Sequence, residues 1–346
     1  MARKLLFGSL ALAPLTIALH FLFHIGETAD FVLAAIALVP LAWLIGEATE
    51  HAAHHTGPGI GGFLNATFGN APELIIALLA VNLMNFEVVR GSLSGSVVGN
   101  LLLVLGFSLL FGGRGEIDRQ SSFVSLGLVA GAVLLFLVPA IPSFDGDRER
   151  RSLAELSIAP SVVLLILYLA VTWYSLRRHR RLHVSDEPSE MKGWTLMTSL
   201  IVLGLATTVT AVIAEILVGA IHTFGQETGL SEFFLAAVVV AIVGNAAEHG
   251  GAVVVAARGN IRLAAEIALA SSAQVAVFLI PAVALLAWLI EPLALSFRPV
   301  ELMALGGSVV LATLLLYQGR SSRARGIAPI AAYVGIAVAF FLAGDA

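Results

Sequence analysis

Long apolar runs restrict the fold of this 346-residue chain more than any other feature. A helix needs about 20 apolar residues to cross the hydrocarbon core of a bilayer. Hydrophobic residues make up 58% of the chain and charged residues only 12%, whereas a soluble domain carries about 25% charged residues. We therefore expect lipid to be the solvent for most of the surface, and we predict an all-α integral membrane protein.

Eleven runs reach the length of a membrane span, which predicts about eleven transmembrane helices. They lie near residues 5–24, 31–53, 60–84, 88–112, 121–141, 153–176, 195–222, 231–257, 262–290, 299–317 and 327–343. Only the Gly-rich segment 56–59 separates the second run from the third, which leaves the count open by one. The first run follows Arg3 and Lys4 and resembles a signal peptide, but Pro14, directly after the cleavage-like Ala11–Ala13, favours a spanning helix.

The distribution of Lys and Arg predicts how these helices are oriented. If the N-terminus is cytoplasmic, 14 of the 19 basic residues fall in inside loops, as the positive-inside rule requires. The outside residues are then Arg90, Arg148, Arg150, Arg151 and Arg298. Three of them lie in the loop formed by residues 145–151, and we expect these arginines to pair with Asp145, Asp147 and Glu149 of the same loop. The predicted location is the cell (inner) membrane, with many passes and a cytoplasmic N-terminus.

A polar stretch divides the chain into two halves. Residues 177–193, which begin with a run of arginines, predict a cytoplasmic linker. Residues 1–28 then form an extra N-terminal transmembrane helix, residues 29–176 a first repeat of five helices, and residues 194–346 a second repeat of five.

Two short motifs stand at equivalent places in these halves. Gly69-Asn70-Ala71-Pro72-Glu73 matches Gly244-Asn245-Ala246-Ala247-Glu248 at an offset of 175 residues. The same offset carries Asn85 onto Asn260. Because each half has an odd number of helices, we expect the second copy to be inverted in the membrane. Inverted repeats place a transport site near the midplane, where the two copies meet.

The glutamates of these motifs are the main candidates for chemistry. A carboxylate at membrane depth is costly, so Glu73 and Glu248 need a functional reason. Calcium takes six to eight oxygen ligands, and Asn70 and Asn245 lie three residues before each glutamate on the same helical face. Pro72 interrupts the helical hydrogen bonds and can free a backbone carbonyl. Cysteine is absent, which excludes thiolate metal sites.

The same pair of carboxylates predicts proton coupling. When calcium leaves, burial and like-charge repulsion favour protonation of the pair. One calcium ion or about two protons can then occupy the site, which is antiport by competition. The alternative, in which each glutamate is neutralised by a buried Arg or Lys, has no basic partner near the centre of either span.

Further polar residues extend the candidate set. The next helix of each repeat carries Ser96 and Asn100, or Ser271, Ser272 and Gln274, which are either ion ligands or helix-packing residues. Glu47, Glu50 and Glu215 form a second acidic set that is either an ion access path or gate, or an interfacial helix end. His249, next to Glu248, either relays protons or is bonded within the bundle.

These motifs resemble the cation/proton exchanger family of the calcium/cation antiporter superfamily. The resemblance rests on residues 65–75 and 244–249, supported by residues 95–106 and 271–274, and it covers nearly the whole chain. It implies eleven helices, an extra helix before two inverted repeats, and export of calcium with Glu73 and Glu248 alternately protonated or calcium-bound. Sodium/calcium exchangers carry Gly-Thr-Ser before the first glutamate, where this chain has Asn70. They often carry a further acidic residue in the helix after the second glutamate, where this chain has Gln274.

The prediction is therefore a calcium/proton antiporter, with Ca²⁺, protons and the lipid bilayer as its only expected partners. An exchanger of sodium for calcium, or one for other divalent or monovalent cations, is the alternative on the same scaffold. No His-Glu-x-x-His or nucleophile motif indicates an enzyme, no cofactor is expected, and no basic stripe indicates nucleic acid.

Overall fold

A computed structural model describes residues 2–182 and 193–344. Nearly all the regular structure in this part of the chain is helical. The α-helices are α1 (Ala2–Ser9), α2 (Leu12–Ala18), α3 (Glu27–Phe68), α4 (Ala71–Asn82), α5 (Phe86–Val98), α6 (Leu105–Gly112), α7 (Arg119–Ala140), α8 (Arg151–Leu182), α9 (Leu196–Thr228), α10 (Glu232–Phe234), α11 (Ala241–Gly244), α12 (Ala246–Ala257), α13 (Ile261–Gln274), α14 (Ile280–Leu286), α15 (Pro299–Leu316) and α16 (Arg323–Ala343).

Several of these helices are continued by tighter or wider turns. Wider π-helical turns occupy Leu19–Phe23, Gly99–Val104, Leu235–Val240 and Val275–Leu279. Short 3₁₀ turns occupy Ile141–Ser143 and Ala287–Leu289. Two short strands, β1 (Gly115–Glu116) and β2 (Arg320–Ser321), pair antiparallel.

The apolar helices confirm a protein built to cross a membrane. Within the described residues, nine helices are long and apolar enough to span a bilayer, and a bent pair brings the number to ten. That pair is Glu232–Gly244 with Ala246–Ala257, bent by 58° at Asn245. The predicted third span, 60–84, falls on the end of α3 and on α4, which is only 12 residues long. The predicted number of eleven is therefore not confirmed by this count.

The chain changes direction within α3, although the helix is continuous from Glu27 to Phe68. A Cβ atom on Gly61 would lie 2.8 Å from the carbonyl oxygen of Ala53. Eight residues of straight helix are about 12 Å long, so the chain must turn back between these two residues. The sequence places Gly-Pro-Gly at residues 57–59, between these two residues, and the apolar span before them ends at Thr56. The boundary between the second and third runs stays a prediction.

Helix α8 extends beyond its predicted end. The sixth run was expected to stop at residue 176, whereas α8 continues to Leu182. Helical hydrogen bonding is local and does not require apolar side chains, so a span can continue past the point where its hydropathy falls. The first residues predicted for the linker are thus helical, and residues 183–192 of the linker lie outside the described part of the chain.

The two repeated motifs have the same local structure. Helices α4 and α12 are both 12 residues long and begin 175 residues apart. Each follows an asparagine outside regular helical geometry, with φ −101° at Asn70 and φ −88° at Asn245. The first hydrogen bond of each helix returns to that asparagine, from the N–H of Leu74 in one copy and of His249 in the other.

The ends of α4 and α12 also match. Met84 and Gly259 both have positive φ, 54° and 92°, and stand 175 residues apart. Asn85 then caps α5 by accepting from the N–H of Val88, while Asn260 caps α13 by accepting from that of Leu263. An interrupted span, a tight turn and an Asn-capped helix therefore occur twice along the chain.

Contacts between the connecting segments divide into two groups, one for each end of the molecule. At one end, Thr28 bonds to Glu227, and Asn85 bonds to Glu232. At the other end, β1 pairs with β2, and Arg262 bonds to Asp118 at 2.7 Å. Each of these contacts joins loops that the predicted topology places on the same side of the membrane. We call the first group the outer end and the second the inner end, following the predicted orientation.

Asp118 shows how the inner end is held together. Its side chain caps α7 by accepting a hydrogen bond from the N–H of Ser121. This bond holds the pKa of the Asp118 carboxyl below its ordinary value, and the charge of Arg262 lowers the pKa further. Asp118 thereby ties the start of α7 to the start of α13.

At the outer end the structure corrects the predicted pairing of the arginines. Arg90 is fully buried and donates to Glu149 at 2.6 Å and to Glu87 at 3.0 Å. Glu149 was expected to pair within its own loop. Arg150 instead donates to backbone carbonyls, and Arg151 approaches Glu155 at 3.8 Å. The loop folds over the end of α5, so its charges meet partners from other segments.

The same network stabilises a buried segment that is not helical. Residues 293–298 are buried without regular hydrogen bonding, which a membrane protein tolerates only where other groups satisfy the backbone. Arg90 donates to the hydroxyl of Ser296 at 3.2 Å, and the hydroxyl of Ser157 accepts from the N–H of Leu295 at 2.9 Å. Glu301 is fully buried and accepts from the hydroxyl of Ser94 at 2.9 Å. Arg90 also donates to the carbonyl of Ala294 at 3.5 Å, and Glu301 accepts from the N–H of Arg298 at 2.8 Å, so side chains replace part of the missing helical bonding.

Candidate ion-binding site

Glu73 lies in the first turn of α4 and is almost completely buried, with 5% of its surface exposed. A Cβ atom on Gly244 would lie 3.2 Å from Oε1 of Glu73. The glycine of the second motif therefore makes room for the glutamate of the first. Oε2 of Glu73 has no hydrogen-bond partner within the described residues. The break before α4 is what points this side chain across to the other repeat.

Glu248 occupies the equivalent place in the first turn of α12 but is only partly buried. Its carboxyl is near enough to the hydroxyl of Ser271, from the next helix of the same repeat, to interact with it. Its Oε2 lacks a partner among the described residues. The charge of Glu248 acts directly on Glu73, so the fold brings the two predicted carboxylates to one place. In the described part of the chain neither forms an ion pair with Arg or Lys.

Asn245 connects the two repeats through its amide. Its Nδ2 donates to the hydroxyl of Ser96 at 2.8 Å and to the carbonyl of Ala241 at 2.9 Å. Its Oδ1 accepts from Nδ2 of Asn100 at 3.3 Å. Three predicted site residues, Asn245, Ser96 and Asn100, thus form one buried cluster. The oxygen of Asn100 is the one atom of the cluster's amides without a described partner.

Asn70 is buried at the start of α4, and its side chain does not cap that helix. The side chain of Asn245 does not cap α12 either. Pro72 stands at the second position of α4, where a helix needs no N–H donor. The proline therefore lies in the first turn after the break between α3 and α4, and its lack of an N–H is compatible with the predicted interruption of helical bonding.

The remaining candidates are less closely connected. Ser272 bonds to the carbonyl of Ala268 within its own helix at 2.9 Å. Gln274 ends α13 partly buried, and no described contact brings it into the cluster. His249 lies with Cε1 4.0 Å from the position of a Cβ on Gly99, and its Nε2 has no described partner. This histidine adjoins the helix that carries Asn100.

The acidic set Glu47, Glu50 and Glu215 does not form one group. Glu47 lies 3.7 Å from His51, whose ring packs on Trp194 at the inner end. Glu50 is exposed. Glu215 lines a cavity at the outer end. Any access role for these carboxylates must therefore be assigned to each one separately.

The arrangement offers oxygen ligands without a neutralising cation. Glu73 and Glu248 interact across the two repeats, and Asn70 and Asn245 lie three residues before them in the chain. No group of three or more His, Asp or Glu within the described residues is placed to hold a metal.

Close helix packing by α5 also positions the site, and none of the predicted site residues takes part in it directly. Gly91 and Gly95 in α5 press against the carbonyl oxygens of Phe233 and Ala237, where a Cβ atom would overlap the neighbouring backbone at Gly95. The signal was present, since Gly91, Gly95 and Gly99 repeat every four residues, a pattern that brings membrane helices close together. This packing holds Ser96 against the second repeat.

The fold and the buried site define a polytopic membrane protein with an intramembrane polar centre made from two repeats. The sequence model of the family described as sodium/calcium exchanger protein matches residues 27–177 and 198–342. The chain belongs to this family.

Named relatives and solved structures agree with this assignment. A Ca²⁺/H⁺ antiporter of Synechocystis sp. is 35% identical, covering 98% of this chain and 97% of that protein. The Ca²⁺/H⁺ antiporter ChaA of Bacillus subtilis is 36% identical, covering 93% of this chain and 94% of that protein. The solved structure of native YfkE matches with a TM-score of 0.84 and 34% identity, covering 97% of this chain and 99% of that chain.

Proposed function

We propose that this protein is a calcium/proton antiporter that exports Ca²⁺ from the cytoplasm. The observation that carries the proposal is the meeting of Glu73 and Glu248, one from each repeat, with no basic partner among the described residues. Two relatives whose alignments cover over 90% of this chain are named Ca²⁺/H⁺ antiporters, which supports Ca²⁺ and H⁺ as the exchanged ions.

Competition for the two carboxylates couples the ions. Calcium prefers carboxylate and amide oxygens, and Glu73, Glu248, Asn70 and Asn245 offer both kinds. Ser96, Ser271, Asn100 and Gln274 orient these ligands or add oxygens. When Ca²⁺ departs, two neighbouring carboxylates away from water bind protons instead, because an empty site with two charges is disfavoured. Each direction of the cycle therefore carries a different ion.

Alternating access follows from the repeated, interrupted spans. We expect the first repeat (29–176) and the second (194–346) to be inverted relative to one another, so that movement of one half against the other exposes the site to each side in turn. The extra N-terminal helix (1–28) stands outside this arrangement. Glu47, Glu50 and Glu215 mark access paths at the two ends, and His249 is placed to pass protons to Glu248.

Transport in proteoliposomes tests the proposal. Purified protein in vesicles is expected to accumulate Ca²⁺ when a pH gradient is imposed and sodium is absent. Addition of an ionophore that collapses the pH gradient should stop uptake. Uptake that needs a sodium gradient and ignores the pH gradient would contradict the proposal and favour the sodium/calcium alternative. Uptake without either gradient would indicate a channel.

A further inference from the structure

A cavity of about 270 Å³ opens at the outer end, away from the two glutamates of the central site. It lies between the N-terminal helix, the start of α3 and the last turns of α9. The lining residues are His20, Phe21, Glu27, Asp30, Val212, Glu215, Ile216, Gly219 and Ala220. We call this space the outer cavity.

Acidic groups dominate the polar lining of the outer cavity. Glu27, Asp30 and Glu215 supply three carboxylates, and His20 is the one lining residue that can carry a positive charge. Nδ1 of His20 lies 2.8 Å from Oδ2 of Asp30. Glu27 accepts from the hydroxyl of Thr223. In the described part of the chain no Arg or Lys pairs with these three carboxylates, so the cavity attracts cations.

One carboxylate oxygen in the outer cavity has no bonding partner. Asp30 is only 4% exposed, and its Oδ1 has no hydrogen-bond partner within the described residues. Buried polar atoms in folded proteins are almost always bonded, to water or an ion if not to protein. This observation is separate from the acidic composition of the cavity, and it indicates that something polar or charged occupies the space beside Asp30.

The size of the cavity and the spacing of its ligands define the kind of occupant. The cavity has room for several water molecules. No three acidic or imidazole groups of the described chain are close enough together to hold a bare metal. Calcium and magnesium often keep part of their water shell when few protein ligands reach them. The ligand that fits is a divalent cation with water between it and the carboxylates.

We propose that the outer cavity, lined by Glu27, Asp30 and Glu215, is a second and weaker binding site for a hydrated divalent cation. It receives the ion at the end where the proposed function releases Ca²⁺, and it raises the local cation concentration there. The identity of the ion as Ca²⁺ rests on the proposed function; the existence of the site does not.

Binding of Mn²⁺, measured by electron paramagnetic resonance, tests the site without any transport. The Glu73→Gln/Glu248→Gln double variant removes the central carboxylates, so Mn²⁺ that it still binds reports other sites. We expect residual weak binding, and we expect it to weaken on the order of tenfold when Asp30→Asn and Glu215→Gln are added. The matched control is Glu155→Gln, which removes an exposed outer-end carboxylate outside the cavity.

A variant that fills the cavity keeps the test decisive if the charge variants misfold. A Cβ atom on Gly219 meets nothing within 4 Å, so Gly219→Leu can be accommodated while its side chain occupies the cavity. We expect the same loss of Mn²⁺ binding. Equal binding in the double variant with and without these changes would overturn the proposal. Displacement of Mn²⁺ by sodium at equal ionic strength would overturn its divalent character.

Sided transport gives a second readout. With the central glutamates intact, Glu215→Gln should raise the half-saturating Ca²⁺ about threefold when Ca²⁺ is supplied at the outer end. The value for Ca²⁺ supplied at the inner end should not change. Loss of transport from both ends alike would contradict a role for the cavity. If the wild-type protein shows no proton-driven Ca²⁺ transport while the cavity still binds Mn²⁺, the proposed function fails and the site stands.

Discussion

The two Gly-Asn…Glu segments share their backbone but not their surroundings. Both follow a break at an asparagine and begin a helix of 12 residues. Glu73 is buried against Gly244 of the other repeat, whereas Glu248 is partly exposed as a residue, with its Oε2 buried and its carboxyl near Ser271 of its own repeat. Gly250 and Gly251, which follow Glu248 in α12, are exposed, while most of α4 is buried or partly buried.

This difference shows how a duplicated element can serve two purposes. The first copy lies at the packed centre, and the second faces more open space. In an alternating-access cycle, inverted repeats exchange such environments. Under the proposed mechanism, an unequal packing of the two glutamate residues is what one state of such a cycle would show, although Oε2 is buried in both.

Removal of either carboxylate should have the largest effect. Glu73→Gln and Glu248→Gln each take away one of two anionic ligands, so we expect Ca²⁺/H⁺ exchange to fall by on the order of 100-fold or more. Proton-driven Ca²⁺ uptake into proteoliposomes measures this, with insertion checked by purification yield. Substitution by aspartate, which has a shorter side chain, should affect the two positions differently. Glu248→Asp should retain more exchange activity than Glu73→Asp, because the side chain of Glu248 has more room to adjust. Retained exchange in either Gln variant would refute a shared site.

The glycine that receives Glu73 should be the next most sensitive position. A methyl group on Gly244 would lie 3.2 Å from Oε1 of Glu73, and overpacking of this kind costs about 1–3 kcal/mol. We expect Gly244→Ala to reduce uptake about tenfold. Gly250→Ala is the control, since a Cβ there meets nothing within 4 Å. Similar uptake in the two variants would show that the close contact between repeats is not required.

The hydrogen bonds of Asn245 should matter less than the carboxylates. Ser96→Ala removes the hydroxyl that accepts from Nδ2 of Asn245 at 2.8 Å, and a neutral hydrogen bond contributes about 0.5–1.5 kcal/mol. We expect the half-saturating Ca²⁺ to rise about threefold. Ser272→Ala, one residue from the equivalent serine of the other repeat, is the comparison, because Ser272 bonds only within its own helix. An equal change in both variants would argue against a specific role for the Ser96 contact.

The smallest expected effect concerns the matched turns. Gly259 has φ 92° and Met84 has φ 54°, and a left-handed backbone costs a residue with a Cβ about 1–2 kcal/mol. Gly259→Ala should therefore lower the melting temperature by about 2 °C. Met84→Gly should leave it nearly unchanged, because relief of strain is offset by greater freedom in the unfolded chain. A thermal unfolding assay in detergent compares the two, and a larger loss for Met84→Gly would contradict this account.

Much of the fold follows from patterns that sequence alone contains. Apolar runs predicted a membrane protein built of helices, and the repeated motif predicted that two glutamates from distant segments would interact. These features depend on local hydropathy and on symmetry between the halves. Neither requires knowledge of which side chains pack together.

Other features depend on tertiary contacts that no local pattern records. Arg90 was assigned to an outside loop, yet it is fully buried by residues 59 to 206 positions away. Pro72 predicted an interruption, but the break itself falls on Asn70, two residues earlier, and Pro72 lies in the first turn of α4. The outer cavity joins Asp30 to His20 and Glu215, and this grouping becomes visible only when the N-terminal helix is packed against α3 and α9.

The burial of Arg90 also has a consequence for how the protein is made. Glu149, its next charged partner along the chain, is synthesised about 3–12 s after residue 90 at 5–20 residues per second. During that interval the newly inserted helix carries an arginine whose nearest available counter-charge is Glu87, three residues earlier. This local pair lowers the cost of holding the charge in lipid while the ribosome completes the chain. Glu87 thus neutralises Arg90 within the same helix before both residues join the finished network.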